Sequence, residues 1–269
     1  PSRRSAAFTT AALAALLALP GCAAAPPGIA VTAGNTPGQD AIALPGPLDA
    51  QLDRAVAALP GIAEQALAES GVPGMAIAVV HGDAVVFAEG YGTTAAENGQ
   101  PITPDTVFQI ASLSKPLSAT GVAAAIGESG GAIGWDTPIR SLLPDFALAD
   151  PIATEHATIG DAFSHRLGLA TGAGDDLEDL GYDRAAILQR LRQQPLSPFR
   201  TEYHYSNFGL TIGAEAVAAS RGEPWEQLMD ELVFTPLGMA STSARHDDFI
   251  AHDARARLHA LAGGEFIAA

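Results

Sequence analysis

From Leu48 onward apolar residues recur at helical spacing. Leu52, Val56 and Leu59 mark one face of a first helix, and a second short helical stretch follows Pro60-Gly61 and runs to Gly71. Two β-rich runs come next, 75–80 and 84–91. Only His81-Gly82-Asp83 parts them, which predicts a hairpin closed by a tight turn. Thr103-Pro104-Asp105 marks a loop ahead of the short apolar run 107–111. From Ser112 the pattern turns helical and stays so to about Met239, with breaks at Gly130-Gly131, Pro144, Pro151, 168–174 and 195–198. Two strands followed by many helices predict an α+β fold, an antiparallel sheet flanked by helices with a helical insertion. A lone hairpin is marginal, so further strands are needed. Residues 257–269 begin one, and the reading is a folded domain over 48–269 whose C-terminal sheet strands are missing.

The pattern ahead of Leu48 is different. Arg3 and Arg4 precede the apolar run 11–19, and Leu19-Pro20-Gly21-Cys22 follows, the charged, apolar, small-residue order of an export signal over 1–22. The run is too short to span a bilayer. Cys22 is the only cysteine, so it has no internal disulfide partner. Its setting resembles a bacterial lipoprotein box, which implies cleavage before Cys22 and lipidation of its thiol; an ordinary signal peptide with an incidental cysteine is the other reading. Both make the mature protein extracytoplasmic, and the first anchors it to the membrane through lipid. Residues 23–47, rich in Ala, Pro, Gly and Thr, read as a flexible linker.

Composition narrows the partners. A hydrophobic fraction of 48% is ample for a core, and a net charge of −16 repels phosphate backbones, so nucleic acid is excluded as a partner.

The chemistry begins at Ser112-Leu113-Ser114-Lys115, an SxxK motif at a predicted strand-to-helix junction. Spacing of three puts hydroxyl and amine on one helical face. A serine hydroxyl becomes a nucleophile when a base takes its proton, and a lysine serves as that base when burial or nearby cations depress its pKa. Free N–H groups at a helix start also suit a developing oxyanion. Pro116 is tolerated in the first turn, where its missing N–H has no helical acceptor. The plain alternative makes Ser112 an N-cap and Lys115 a solvated residue. The second element is Tyr205-Ser206-Asn207, within FRTEYHYSNFG at 199–209. A phenol can share the lysine's proton, and an amide can orient both lysine and substrate carbonyl. The alternative there is a turn with Asn207 capping and Tyr205 packed on the core.

Together these segments carry a resemblance. VFQIASLSKPLSA, at 107–119, resembles the active-serine segment of the class C β-lactamase, D,D-peptidase and family VIII esterase superfamily, and Tyr205 and Asn207 match its YxN motif. WDTPIRSLLPDF at 135–146, ATIGDAFSHRLGL at 157–169 and PLGM at 236–239 add weaker likenesses in the same order. The resemblance implies a serine hydrolase acting through an acyl-enzyme on a small-molecule or peptide substrate: a β-lactam, a D-amino-acid peptide or a carboxylic ester. Ser112 is then nucleophile, Lys115 with Tyr205 its base, and Asn207 the substrate-binding amide; no cofactor and no metal are required. Such relatives close the site with a KTG or HxG triplet on a C-terminal strand. No match follows Asn207; the nearest candidates, Leu261-Ala262-Gly263-Gly264 and Leu237-Gly238-Met239, lack the basic residue and the strand context. A non-catalytic penicillin- or peptidoglycan-binding lipoprotein is therefore the alternative, and substrate and oligomeric state stay open.

Gly127-Glu128-Ser129-Gly130-Gly131 fits GxSxG, but helical pattern precedes Ser129 where a nucleophile elbow needs a strand. His246, Asp247, Asp248, His252, Asp253 and His259 match no familiar metal-ligand spacing and read as solvated. His165 reads as a helix-end hydrogen-bonding residue, and the acidic run 175–179 as a solvated loop rather than a cleft lining.

Overall fold

A computed structural model describes residues 48–268, and the contacts given below lie within the compact body that begins at Leu52. The export segment with Cys22, and the linker 23–47, lie outside the described residues. The first helix, α1 (Leu48–Ser70), is one element and not the expected two, for Pro60 sits inside it. Proline removes one helical hydrogen bond and crowds the carbonyl four residues back, which favours a break. The apolar face overrides it: the less exposed positions Leu52, Val56, Leu59, Ala63 and Leu67 keep spacings of three and four straight through the proline, and Ala63 is 1% exposed.

The predicted hairpin forms. β1 (Gly74–His81) pairs antiparallel with β2 (Ala84–Gly92), and Gly82 and Asp83 both take positive φ (54° and 62°), the condition for a type I′ turn. Val79 opposes Phe87 while Val80 opposes Val85, so Val86 is an extra residue that bulges β2. Further strands exist at the other end, but they do not extend this sheet. β3 (His259–Ala262) and β4 (Glu265–Ala268) close on each other as a second two-stranded sheet. Their turn is Gly263-Gly264, with φ of 63° and 90°, so the candidate third triplet is a hairpin turn. Ahead of this hairpin, residues 254–257 are held by backbone bonds on both sides of Val107 and by Arg257 N–H donating to Thr94 O. The run 107–111 is accordingly not a strand; Val107 makes a single parallel bridge to Arg255.

Between the hairpins lies the helical part: α2 (Ser114–Glu128), α3 (Ile139–Leu142), α4 (Pro151–His156), α5 (Ile159–Phe163), α6 (Asp175–Asp179), α7 (Arg184–Arg190), α8 (Asn207–Arg221), α9 (Trp225–Met229) and α10 (His246–Ala251). α8 is its axis, touching α2, α3, α5, α7 and α9. Phe208, Ile212 and Ala216, one turn apart, face a core with Ile139, Leu169, Ile187 and Leu191. Val217 and Ala218 face a second core with Val122, Leu228, Met229 and Val233. At Gly213 a Cβ would lie 2.9 Å from Ala162 Cβ and 3.1 Å from the Phe163 ring, so glycine sets how closely α8 approaches α5. The start of α8 is fixed by Ser206, 2% exposed, whose Oγ accepts from Gly209 N–H at 3.0 Å; Gly222, at φ 71°, ends it.

Candidate active site

Ser112 lies in a 3-10 turn, Ala111–Leu113, that runs directly into α2. With the turn continuing into α2, the i, i+3 spacing sets Lys115 on the face of Ser112: Nζ donates to Oγ at 3.1 Å. Ala111, just ahead, has φ of 45°, a left-handed conformation that costs an alanine free energy and turns the chain into the helix.

The other half of the site arrives on the start of α8. Ser206 does the capping, so Asn207 is the first helical residue and its side chain is free to reach across. Its Oδ1 accepts from Lys115 Nζ at 2.8 Å. Tyr205, one residue ahead of the cap, sets Oη 2.5 Å from Ser112 Oγ, and Lys115 Nζ stands 4.6 Å from its ring centre. Ser112, Lys115, Tyr205 and Asn207 thus form one hydrogen-bonded set, and the N-cap and solvated-lysine alternatives do not describe them. The Lys115 ammonium and then the Ser112 hydroxyl, as hydrogen-bond donors, hold the Tyr205 phenol below its ordinary pKa of 10.0 against a smaller upward push from burial and Asp175.

Three supports were not legible as site residues. His165, at φ 58° just past α5, accepts from Ser206 N–H through Nδ1 at 3.2 Å and lies against Tyr205 with ring centres 4.8 Å apart. Burial first, and the Lys115 charge second, push its pKa below 6.5. Neutral with Nδ1 accepting, it carries its proton on Nε2. It is the helix-end hydrogen-bonding residue expected, with a ring contact added.

Asp161, 8% exposed, closes the N-terminal capping box of α5 with Thr158 and takes both Arg200 Nε at 2.8 Å and Nη2 at 2.7 Å. Burial raises its pKa, but the Arg200 and Thr158 hydrogen bonds outweigh that and hold the carboxyl below the ordinary range. Arg200 has φ of 64°, and bonds from Arg200 N–H to Arg166 O and His204 N–H to His165 O lay 200–204 beside 165–166. That pairing carries Tyr205 to Ser112.

Asp175 is the third. The acidic run is α6 rather than a solvated loop, and the Asp175 carboxylate accepts from Asn207 Nδ2 at 3.3 and 3.2 Å.

Ser129 stands apart from all of this. It is the C-cap of α2, its Oγ donating to Ile126 O and accepting from Gly131 N–H, with a helix before it and not a strand. Among the described residues no group of three or more His, Cys, Asp or Glu side chains is arranged to hold a metal ion. His259 Nε2 accepts from Ala96 N–H, and Asp248 accepts from Ser243 Oγ.

The family model described as Beta-lactamase matches residues 53–265. Penicillin-binding protein 4 of Amycolatopsis lactamdurans is 34% identical over 181 residues, 64% of this chain and 44% of that protein. Esterase EstB of Burkholderia gladioli is 30% identical over 198 residues, 68% of this chain and 50% of the esterase. The solved structure described as EstCE1, a hydrolase with promiscuous acyltransferase activity, superposes with a TM-score of 0.67 at 25% identity, covering 81% of this chain and 60% of that one. The chain spans about half or less of the length of these curated relatives.

Proposed function

The chain belongs to the β-lactamase family, and from that premise we propose that it is a serine hydrolase working through an acyl-enzyme on an ester or amide carbonyl. The observation that carries the reading is the 2.5 Å contact of Ser112 Oγ with Tyr205 Oη while Lys115 Nζ stands 3.1 Å from the same oxygen. The hydrogen bonds from Lys115 and Ser112 hold the phenol below its ordinary pKa, so Tyr205, supported by Lys115, is the proton acceptor in this reading. Tyr205 takes the Ser112 proton as Oγ bonds to the substrate carbonyl carbon, and the oxyanion meets the Ser112 N–H. Collapse expels the alcohol or amine, which leaves with the proton held by Tyr205. Water then attacks the acyl ester, gives its proton to Tyr205, and the acid departs as that proton returns to Ser112. Asn207 orients Lys115 throughout.

The test is covalent. Intact-mass analysis after exposure to an activated acyl ester or a fluorescent penicillin is expected to show one acyl group on Ser112, absent in Ser112→Ala. Tyr205→Phe is expected to lower the acylation rate on the order of a hundredfold or more with binding retained. An unmodified Ser112 with turnover intact would exclude the reading; acylation without turnover would favour the non-catalytic penicillin-binding alternative.

A further inference from the structure

Asp175 opens α6, and its carboxylate meets the Asn207 amide on the side away from Lys115. An ammonium only donates and a carboxylate only accepts. An amide set between the two has one satisfactory orientation: oxygen to Lys115, NH2 to Asp175. Turned over, it would press NH2 on the ammonium and oxygen on the carboxylate. Asp175 is itself held by the backbone that carries the site. Its N–H donates to Gly172 O at 3.0 Å, and Gly172 N–H donates to Tyr205 O at 3.1 Å. Gly172, at φ 73°, passes so near the carboxylate that a Cβ there would lie 3.4 Å from Oδ2.

We propose that Asp175 is a positioning residue for the serine–lysine–tyrosine set, locking the Asn207 amide so that its oxygen holds Lys115 Nζ against Ser112 Oγ. The inference rests on the reading of Ser112 as nucleophile. It also gives Asp175 an electrostatic part. Among the described residues, the charged or titratable groups that meet at the set are Lys115 from α2, His165 from just past α5, Tyr205 ahead of α8, and Asp175 from α6. Asp175 is the carboxylate among them, and its charge opposes loss of the Tyr205 proton.

The experiment measures hydrolysis of a neutral p-nitrophenyl ester by wild type, Asp175→Ala, Asp175→Asn and Ser112→Ala between about pH 5 and pH 9, with near-ultraviolet circular dichroism on each. Asp175→Ala is expected to lower kcat on the order of ten- to a hundredfold with KM within about twofold, since it frees the amide without touching substrate. Asp175→Asn keeps an acceptor oxygen and is expected to recover most of that rate. Its acid limb moves to lower pH, because the charge that kept the proton on Tyr205 is gone. A merely structural role would lower the folded fraction and leave the limb in place. Wild-type kcat and an unmoved limb in both Asp175 variants, with Ser112→Ala inactive, would overturn the proposal while sparing the reading beneath it. If Asp175→Ala does not fold, the asparagine variant decides by its limb alone. Undiminished turnover in Ser112→Ala, or no turnover and no adduct in wild type, brings down the underlying reading instead.

Discussion

Around Ser112 the electrostatics rest on single contacts. His165 is the clearest case, a ring held neutral by burial and by the nearby Lys115 charge while Nδ1 accepts from Ser206 N–H. Its pKa in the folded chain lies below 6.5, so in the interval between the two values the unfolded chain binds a proton that the folded chain refuses. The stability His165 contributes is thus fully present above about pH 6.5 and is lost as pH falls toward the folded value. Melting temperatures of wild type and His165→Gln between about pH 5 and pH 8 are expected to converge on the acid side; parallel curves would exclude this coupling. Ser112, Lys115, Tyr205 and Asn207 were legible because each belongs to a short motif whose spacing is local. His165 was legible only as a helix end. Asp161, Arg200 and Asp175 were not, since a charged side chain's work depends on which distant partner it meets: Asp161 and Arg200 meet each other, and Asp175 meets Asn207.

The helices and strands divide in the same way. Both hairpins follow from pairs of turn residues that accept positive φ, Gly82-Asp83 and Gly263-Gly264, so their register is set within a few residues. In α1 the proline predicted an end that the continuous apolar face denied, because packing over the whole helix outweighs one lost hydrogen bond. In α8 the decisive residue is small. Gly213 faces Ala162 and Phe163 with no room for a methyl group. Gly213→Ala is expected to destabilise the protein by about 1–3 kcal/mol despite alanine's better helix propensity, since α8 and α5 must part. Urea unfolding measures it, and a gain in stability would mean that α8 and α5 have room to spare at Gly213. As α8 carries Asn207 and α5 leads to His165, the variant should also slow acylation.

For the whole molecule, charge and chain order matter most. A net charge of −16 repels anionic substrates at distances that salt screens. Raising ionic strength from about 0.01 M to 0.5 M is expected to increase kcat/KM for an anionic activated ester by roughly two- to fivefold and leave a neutral ester unchanged. Equal responses of the two esters would rule out steering by the overall field. The mixed helix-and-strand composition was determined by the sequence, because apolar periodicity and turn chemistry act over a few neighbouring residues, and the family was legible in the ordered set of motif segments from 107–119 to 236–239. Tertiary structure alone decided that the β3–β4 hairpin does not extend the sheet of β1 and β2, that residues 200–204 lie beside 165–166 with Tyr205 against Ser112, and that Asp175 faces Asn207. Those contacts join segments far apart in the chain, and their partners are selected by the packing around α8, which no local pattern encodes.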